Sequence, residues 1–519
     1  MKGKLIGISG YIVKARLPEA GIYDRVLVGE RELTGEIIKI SGEDVIIQVY
    51  EDTRGLGTGE KVESLKKPLT SFLGPGLMGN IFDGLQRPLE KIVEEEGSFF
   101  AGKAVHHFDQ LKQKFTFTPL KNEGDSVYVG EALGYFSDKG FKHYVFADTA
   151  EGKVKEITEG EFLPESPVVK LEDGTDIYSY SQQPVRIPLV SGDKQILKEP
   201  IITGQRVIDF FFPLMKGGVS IIPGGFGTGK TVLEQSIAKY ADVDIVLYVG
   251  CGERGNEIAE MIEEFTTIKD EREDRLLRDR TVFVVNTSNM PVAARESSIY
   301  MAVCAGEYYR RMGYHVLLLA DSISRWAEAL KEISSSLEEM PGEEGYPTYM
   351  SSRIASYVER AGAVKTAVEK KTGSLSMVLS VSPPGADFAE PVTQTLLQNS
   401  GVFLMLDREL AYARHYPAIN WTQSYSNYRE DLEDYYRQNV AEDWQNLRRE
   451  CLQILKQEQE LMEIRQIVGD EGMKEEDKEI IQLADKIKTE FLMQDAFSED
   501  AYSTLQETYE KIKGILGER

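Results

Sequence analysis

The chain has 519 residues, too many for one compact core, so roughly three or four domains of about 100 to 200 residues each are expected. With 41% hydrophobic and 28% charged residues it has material for real cores and no signature of wholesale disorder. A net charge of −25 without a basic stripe argues against a nucleic-acid partner.

The start, MKGKLIGISGYIVKARL, is interrupted by glycines and lysines before a signal-peptide core could form, and the longest apolar runs fall far short of the roughly 20 residues of a membrane helix. A cytoplasmic location is expected. Cys251, Cys304 and Cys451 are widely spaced and form no cluster with the five histidines, so they read as buried thiols, without a disulfide framework or a zinc site.

Residues 1–70 carry short β-branched runs separated by Gly and Asp turns, which predicts an N-terminal β-barrel. Residues 71–105 form a connector; Gly or Pro stands at five positions between Gly74 and Gly84, so the stretch to about 92 is expected to follow one path without a helix. Residues 106–190 again look β-rich, with Gly124, Gly130 and Gly134 in a hairpin-like segment, and read as an inserted domain. From 191 to 425 apolar strand-like runs alternate with amphipathic stretches, the pattern of a parallel sheet covered on both faces. The runs are VSIIPG, DIVLYVG, TVFVVNTS, HVLLLADS and SLSMVLSVS, with a helix expected over Ala293–Met312. Residues 426–519 are nearly free of Gly and Pro, show helical spacing at Leu452, Leu455 and Leu461, and read as a helical C-terminal domain. The fold class is multidomain α/β: barrel, inserted β-rich domain, RecA-like P-loop core with a parallel sheet, and helical tail.

GGFGTGKT, comprising Gly224, Gly225, Phe226, Gly227, Thr228, Gly229, Lys230 and Thr231, matches G-x-x-x-x-G-K-[ST] and sits between strand VSIIP and the stretch KTVLEQSIAKY. Glycines there let backbone N–H groups turn toward phosphate oxygens; Lys230 can reach the β- and γ-phosphates of ATP and Thr231 can ligate Mg²⁺. HVLLLADS ends in Asp321, which reads as a metal-side carboxylate of Walker B type or as a cap for the following helix. Glu253 closes the strand after the P-loop and reads as a carboxylate that orients the attacking water, or as a helix-capping acid; Arg254 beside it serves phosphate or holds Glu253.

Five blocks in order, GERGNE, SNMPVAARE, DSISRWAEAL, LEEMPGEEGYP and PPGADFAEPVTQ, together resemble the catalytic A-type chain (alpha chain) of V/A-type rotary ATPases and ATP synthases. The likeness extends to YEDTRGLGTGE and LGPGLMGNIFDGLQRPLE at the front, and to ITGQRVIDFFFP, RHYPAINW and QDAFSED farther along. The resemblance implies ATP hydrolysis or synthesis coupled to proton or sodium transport. It also implies an alternating ring of three A and three B chains around a central rotor stalk, with peripheral stalk subunits and only an indirect link to the membrane sector. The chain would then be peripheral on the cytoplasmic face of a membrane.

By that resemblance Lys230, Glu253, Arg254 and Asp321 are the catalytic set. Residues 224–231 with Val232, Tyr416 and Phe497 hold the nucleotide, and Thr231 and Asp321 serve Mg²⁺, the latter through water. The B subunits supply the arginine finger. The alternative is a nucleotide-binding, non-hydrolysing ring member; an export ATPase or an RNA-translocating hexamer is disfavoured by the insert and the acidic charge. Against the family pattern, Gly225 replaces Pro, Thr228 replaces Ala, Ile323 replaces Thr and Ala386 replaces Gly; Gly225 is expected to loosen the loop. The chain stops at Arg519, soon after QDAFSED, so the C-terminal domain is expected to be shortened relative to the family.

Overall fold

A computed structural model describes residues 2–96, 113–189, 192–270, 275–368 and 370–517. The expected boundaries near 105 and 190, and the terminal Arg519, lie outside the described residues. The chain divides into two compact units, Met1–Gln195 with Asp244–Leu375, and Ile196–Val243 with Ser376–Arg519, which are taken one at a time.

In the first unit, six strands close into a barrel in the order Lys2–Ser9, Ile12–Arg16, Asp44–Val49, Leu33–Ser41, Arg25–Val28 and Lys61–Ser64. Alternation drives it: Val13 and Ala15, Val26 and Val28, and Val45, Ile47 and Val49 point inward to one apolar core. The inserted region forms two four-stranded antiparallel sheets, whose facing sides bury Phe117, Leu133, Phe136, Val145, Val154 and Leu171. Its hairpin turn is fastened to its surroundings, because the Asp138 carboxylate accepts from the Gly76 N–H at 2.8 Å and Lys139 pairs with Asp279 at 2.9 Å.

The connector differs from expectation. Thr70–Leu73 pairs with Ser181–Pro184, Ile81–Phe82 joins a parallel sheet beside Phe283–Val284, and Leu89–Glu96 is a helix. The glycines and prolines end before Leu89, and the run LEKIVEEE that follows has no breaker to stop a helix.

That sheet continues with Thr281–Thr287, Ile245–Glu253 and His315–Asp321, all parallel, with Ile245–Gly252 wholly buried as a two-sided parallel strand should be. Helix Val292–Arg311 covers it and is buried nearly all round, so the one-sided face expected from Ile299, Ala302 and Val303 is too narrow a reading. Its buried acids are paired: Glu296 meets Arg186 at 2.8 Å and Arg353 at 3.0 Å, and Glu307 meets Arg360 at 2.5 Å. Burial alone raises the pKa of Glu296, but the two guanidinium groups outweigh it and hold the carboxyl below its ordinary range.

In the second unit, Val219–Pro223 runs parallel between Val402–Phe403 and Met377–Val381 and leads into helix Lys230–Tyr240. The C-terminal helices include Glu433–Asn439, Trp444–Val468, Glu475–Lys486 and Leu505–Gly517. They are anchored by aromatic packing: Phe210 lies edge-on to Trp444 at 5.0 Å and to Phe491 at 5.3 Å, while Tyr436 stacks on Trp444. Among the described residues no helix is long and apolar enough to cross a membrane. All three cysteines are buried and unpaired; burial pushes the Cys251 and Cys451 thiols up to about 12 and that of Cys304 up to about 11.

Candidate nucleotide site

The second unit contains the glycine loop. Strand Val219–Pro223 delivers Gly224, whose N–H donates to Val381 O at 3.0 Å, and the loop then runs through Gly225, an 87% exposed Phe226 and Gly227. Thr228 is buried and its hydroxyl donates across the loop to Gly225 O at 2.8 Å, a tie that alanine could not make. Gly229 precedes the helix with φ +81°, a conformation costly for any other residue, and a Cβ there would stand 3.1 Å from the Tyr416 ring. Lys230 opens the helix and its ammonium donates to Ser382 Oγ at the end of the neighbouring strand; Thr231 and Val232 follow in the first turn. Helix dipole, inward-facing amides and the lysine make this end of the unit a site for phosphate oxygens.

Beside the loop is a cavity of about 690 Å³, lined by Gly227, Gly229, Val232, Tyr416, Gln494 and Phe497 among others. Tyr416, 39% exposed, and Phe497, 85% exposed, therefore share one hollow with the loop glycines, and the size suits a small-molecule ligand. Arg414 lines the same cavity.

The segment carrying Phe497 is held by a residue that the sequence reading did not single out. The wholly buried Arg206 guanidinium donates to Phe491 O and Met493 O, each at 2.7 Å, to Asp500 at 2.6 Å and to Ser503 at 2.9 Å. Gln494 closes the arrangement by donating to Gly204 O at 2.8 Å. The signal lay in ITGQRVIDFFFP and QDAFSED, quoted as separate blocks; that one clamps the other is a tertiary fact.

In the first unit, Glu253 ends its strand half-buried, and Ser322 Oγ donates to its carboxylate at 3.4 Å. Gly252, at φ +75°, lets the chain pass Arg325 and Arg295, whose carbons stand 2.9 and 3.0 Å from where a Cβ would be. Arg254 is extended ahead of helix Gly255–Thr267, with a 68% exposed side chain paired to Glu257 at 3.6 Å. Asp321 is buried at the end of its strand, in register with Gly250, and the Asp321–Ser322 peptide is cis. Arg325, paired with Glu328 at 2.9 Å, also feels the charges of Glu253 and Asp321, and its pKa is raised accordingly. Of the departures from the family pattern, Ile323 is buried at the start of helix Ile323–Ser336, and Ala386 adopts φ +60°. Glu338, Glu343 and Glu344 of the acidic loop are exposed. Among the described residues no group of three or more His, Cys, Asp or Glu is placed to hold a metal.

A strand, a glycine loop and a lysine-headed helix, with a parallel sheet and an aromatic-walled cavity, define a P-loop nucleotide-binding protein. The sequence matches the family model for the ATP synthase alpha/beta nucleotide-binding domain over residues 204–426 and that for the C-terminal domain of V and A type ATP synthases over 433–517. It also matches the alpha/beta family's β-barrel domain over 5–66 and its barrel-sandwich domain over 107–186. It is 46% identical to the second of two such catalytic chains in the A-type ATP synthases of Methanospirillum hungatei, covering 99% of this chain and 89% of the relative. It is 48% identical to the corresponding chain of the A-type ATP synthase of Staphylothermus marinus and 46% identical to the V-type ATP synthase alpha chain of Clostridium botulinum, each over 99% of this chain and 88% of the relative. The chain belongs to this family, the catalytic alpha chains of A-type and V-type ATP synthases. A solved structure of the ATPase EscN from the enteropathogenic E. coli type III secretion system, 21% identical, aligns over 99% of this chain and 100% of its own with a TM-score of 0.72, which shows a shared fold.

Proposed function

We propose that the glycine loop, Lys230, Thr231 and Val232 bind the phosphates of ATP while Tyr416 and Phe497 flank its adenine, and that Glu253 polarises the attacking water. The cavity that the loop glycines share with Tyr416 and Phe497 supports this most directly, because one end offers amides and a lysine to an anion and the other offers aromatic faces to a purine. Lys230 neutralises charge on the β- and γ-phosphates; Ser382, its partner here, is a weak hold that phosphate oxygens can replace. Phosphoryl transfer asks the protein chiefly to position and to neutralise, and Glu253, kept in place by Ser322, meets the need for a fixed water-orienting carboxylate. Arg254 supports Glu253 in this reading.

The Thr231 hydroxyl, in the first turn of its helix, and the Asp321 carboxylate are hard oxygen donors of the kind that suits Mg²⁺. The ion would supply further neutralisation of the phosphate oxygens, with Asp321 acting through water. The partners follow from the family: B subunits alternating with this chain in a six-membered ring and donating an arginine finger, a central rotor stalk, and peripheral stalks. Ion transport, of protons or sodium, would occur in other chains, leaving this one peripheral on the cytoplasmic face of the membrane.

Steady-state Mg-ATP hydrolysis by the chain alone and mixed with its cognate B subunit tests the reading. Turnover that appears only in the mixture is the expected result. Tight ATP binding without turnover in either sample would overturn it in favour of a non-hydrolysing ring member.

A further inference from the structure

We infer that Arg408 is an additional phosphate-side binding residue of the nucleotide site, and that Gly225 is what admits it. The inference rests on the glycine loop being an ATP site. A Cβ built on Gly225 would stand 2.7 Å from Arg408 Nε and 2.9 Å from one terminal nitrogen, so the guanidinium occupies the space that a side chain at 225 would fill. Where the family pattern has proline, this loop has no side chain, and a cation lies against it instead.

The base of Arg408 is fixed. Asp407 caps the short helix Arg408–Tyr412 by accepting from the Glu409 N–H at 2.7 Å, and Leu406 packs on Gly224, within 3.0 Å of its would-be Cβ. The far end is unengaged: Arg408 is exposed, and among the described residues it has no hydrogen-bond or ion-pair partner. The loop beneath it is braced by the Thr228 hydroxyl on Gly225 O, so the expected loosening at Gly225 is countered from both sides.

A guanidinium never loses its charge and offers several donors in a plane, which matches phosphate oxygens better than any other side chain does. Held against a loop whose amides already face an anion, its chemistry fits a nucleoside di- or triphosphate, with a contribution that an adenosine lacking phosphate cannot feel. Arg408 and Gly225 then form a coupled pair. A proline at 225 would displace the guanidinium, and loss of the guanidinium would leave a proline tolerable.

Equilibrium titration of the full chain with Mg-ATP, Mg-ADP and adenosine tests this, using Arg408→Ala, Arg408→Lys, Gly225→Pro and the double variant Gly225→Pro/Arg408→Ala. Arg408→Ala should weaken ATP and ADP by about tenfold and leave adenosine unchanged, with lysine restoring part of the loss. Gly225→Pro should weaken ATP similarly, and the double variant should be no worse than Arg408→Ala alone. Equal losses for all three ligands, or none, with wild-type ATP binding intact, would overturn the role of Arg408 and leave the site standing. Failure of the wild type itself to bind ATP would overturn the site and this inference together.

Discussion

The ring of Tyr416 lies against Gly229, its Cε1 3.1 Å from where a Cβ on that glycine would be. The contact joins the aromatic wall of the cavity to the residue that turns the loop into its helix. A methyl group at 229 would meet both the ring and a left-handed backbone at φ +81°, which costs about 1–2 kcal/mol in strain alone. Gly229→Ala should therefore weaken ATP binding by about tenfold or more, measured by nucleotide titration. Unchanged affinity would contradict the packing described.

His143 supplies a pH dependence. Its ring is wholly buried against Tyr308 and Tyr309, Nδ1 is 3.3 Å from the Tyr308 hydroxyl, and burial lowers its pKa from 6.5 to about 3. The folded ring stays neutral while the unfolded one takes a proton below pH 6.5, so stability is complete above that pH and falls as pH drops toward 3. Between pH 7.5 and 5.5 the loss from this group is about 1.4 kcal/mol. Urea unfolding at the two pH values should show that loss in the wild type and a smaller one in His143→Phe; equal losses would contradict it.

Ala386 occupies φ +60° within Pro384–Ala386, directly after Gly385 at +67°. Two consecutive left-handed residues explain why the family pattern has two glycines there, and the alanine methyl has a strain cost. Ala386→Gly should stabilise the chain by about 1 kcal/mol, read as a higher denaturant midpoint at constant slope. A lower midpoint would show that the turn is not strained.

The strands and the site were legible to different depths. Runs such as DIVLYVG and HVLLLADS could be read directly because a parallel strand buried on both faces leaves a continuous apolar stretch. The glycine loop was legible because phosphate binding constrains consecutive residues. What remained hidden depends on residues distant in sequence: Arg206 clamping the segment around Phe497, Arg408 beside Gly225, and Arg186 joining Glu36 and Glu296. The helix at Leu89–Glu96 was obscured by the glycines before it, and the all-round burial of Val292–Arg311 by its paired charges, which look like solvent-facing residues until their partners are known.

The central claim is that Glu253 acts in the chemical step and not in holding ATP. Turnover of Mg-ATP and ATP affinity, measured together on wild-type chain and Glu253→Gln in the presence of the cognate B subunit, test it most directly. Turnover should fall by about a hundredfold or more while affinity stays within about threefold. Normal hydrolysis by Glu253→Gln would contradict the account.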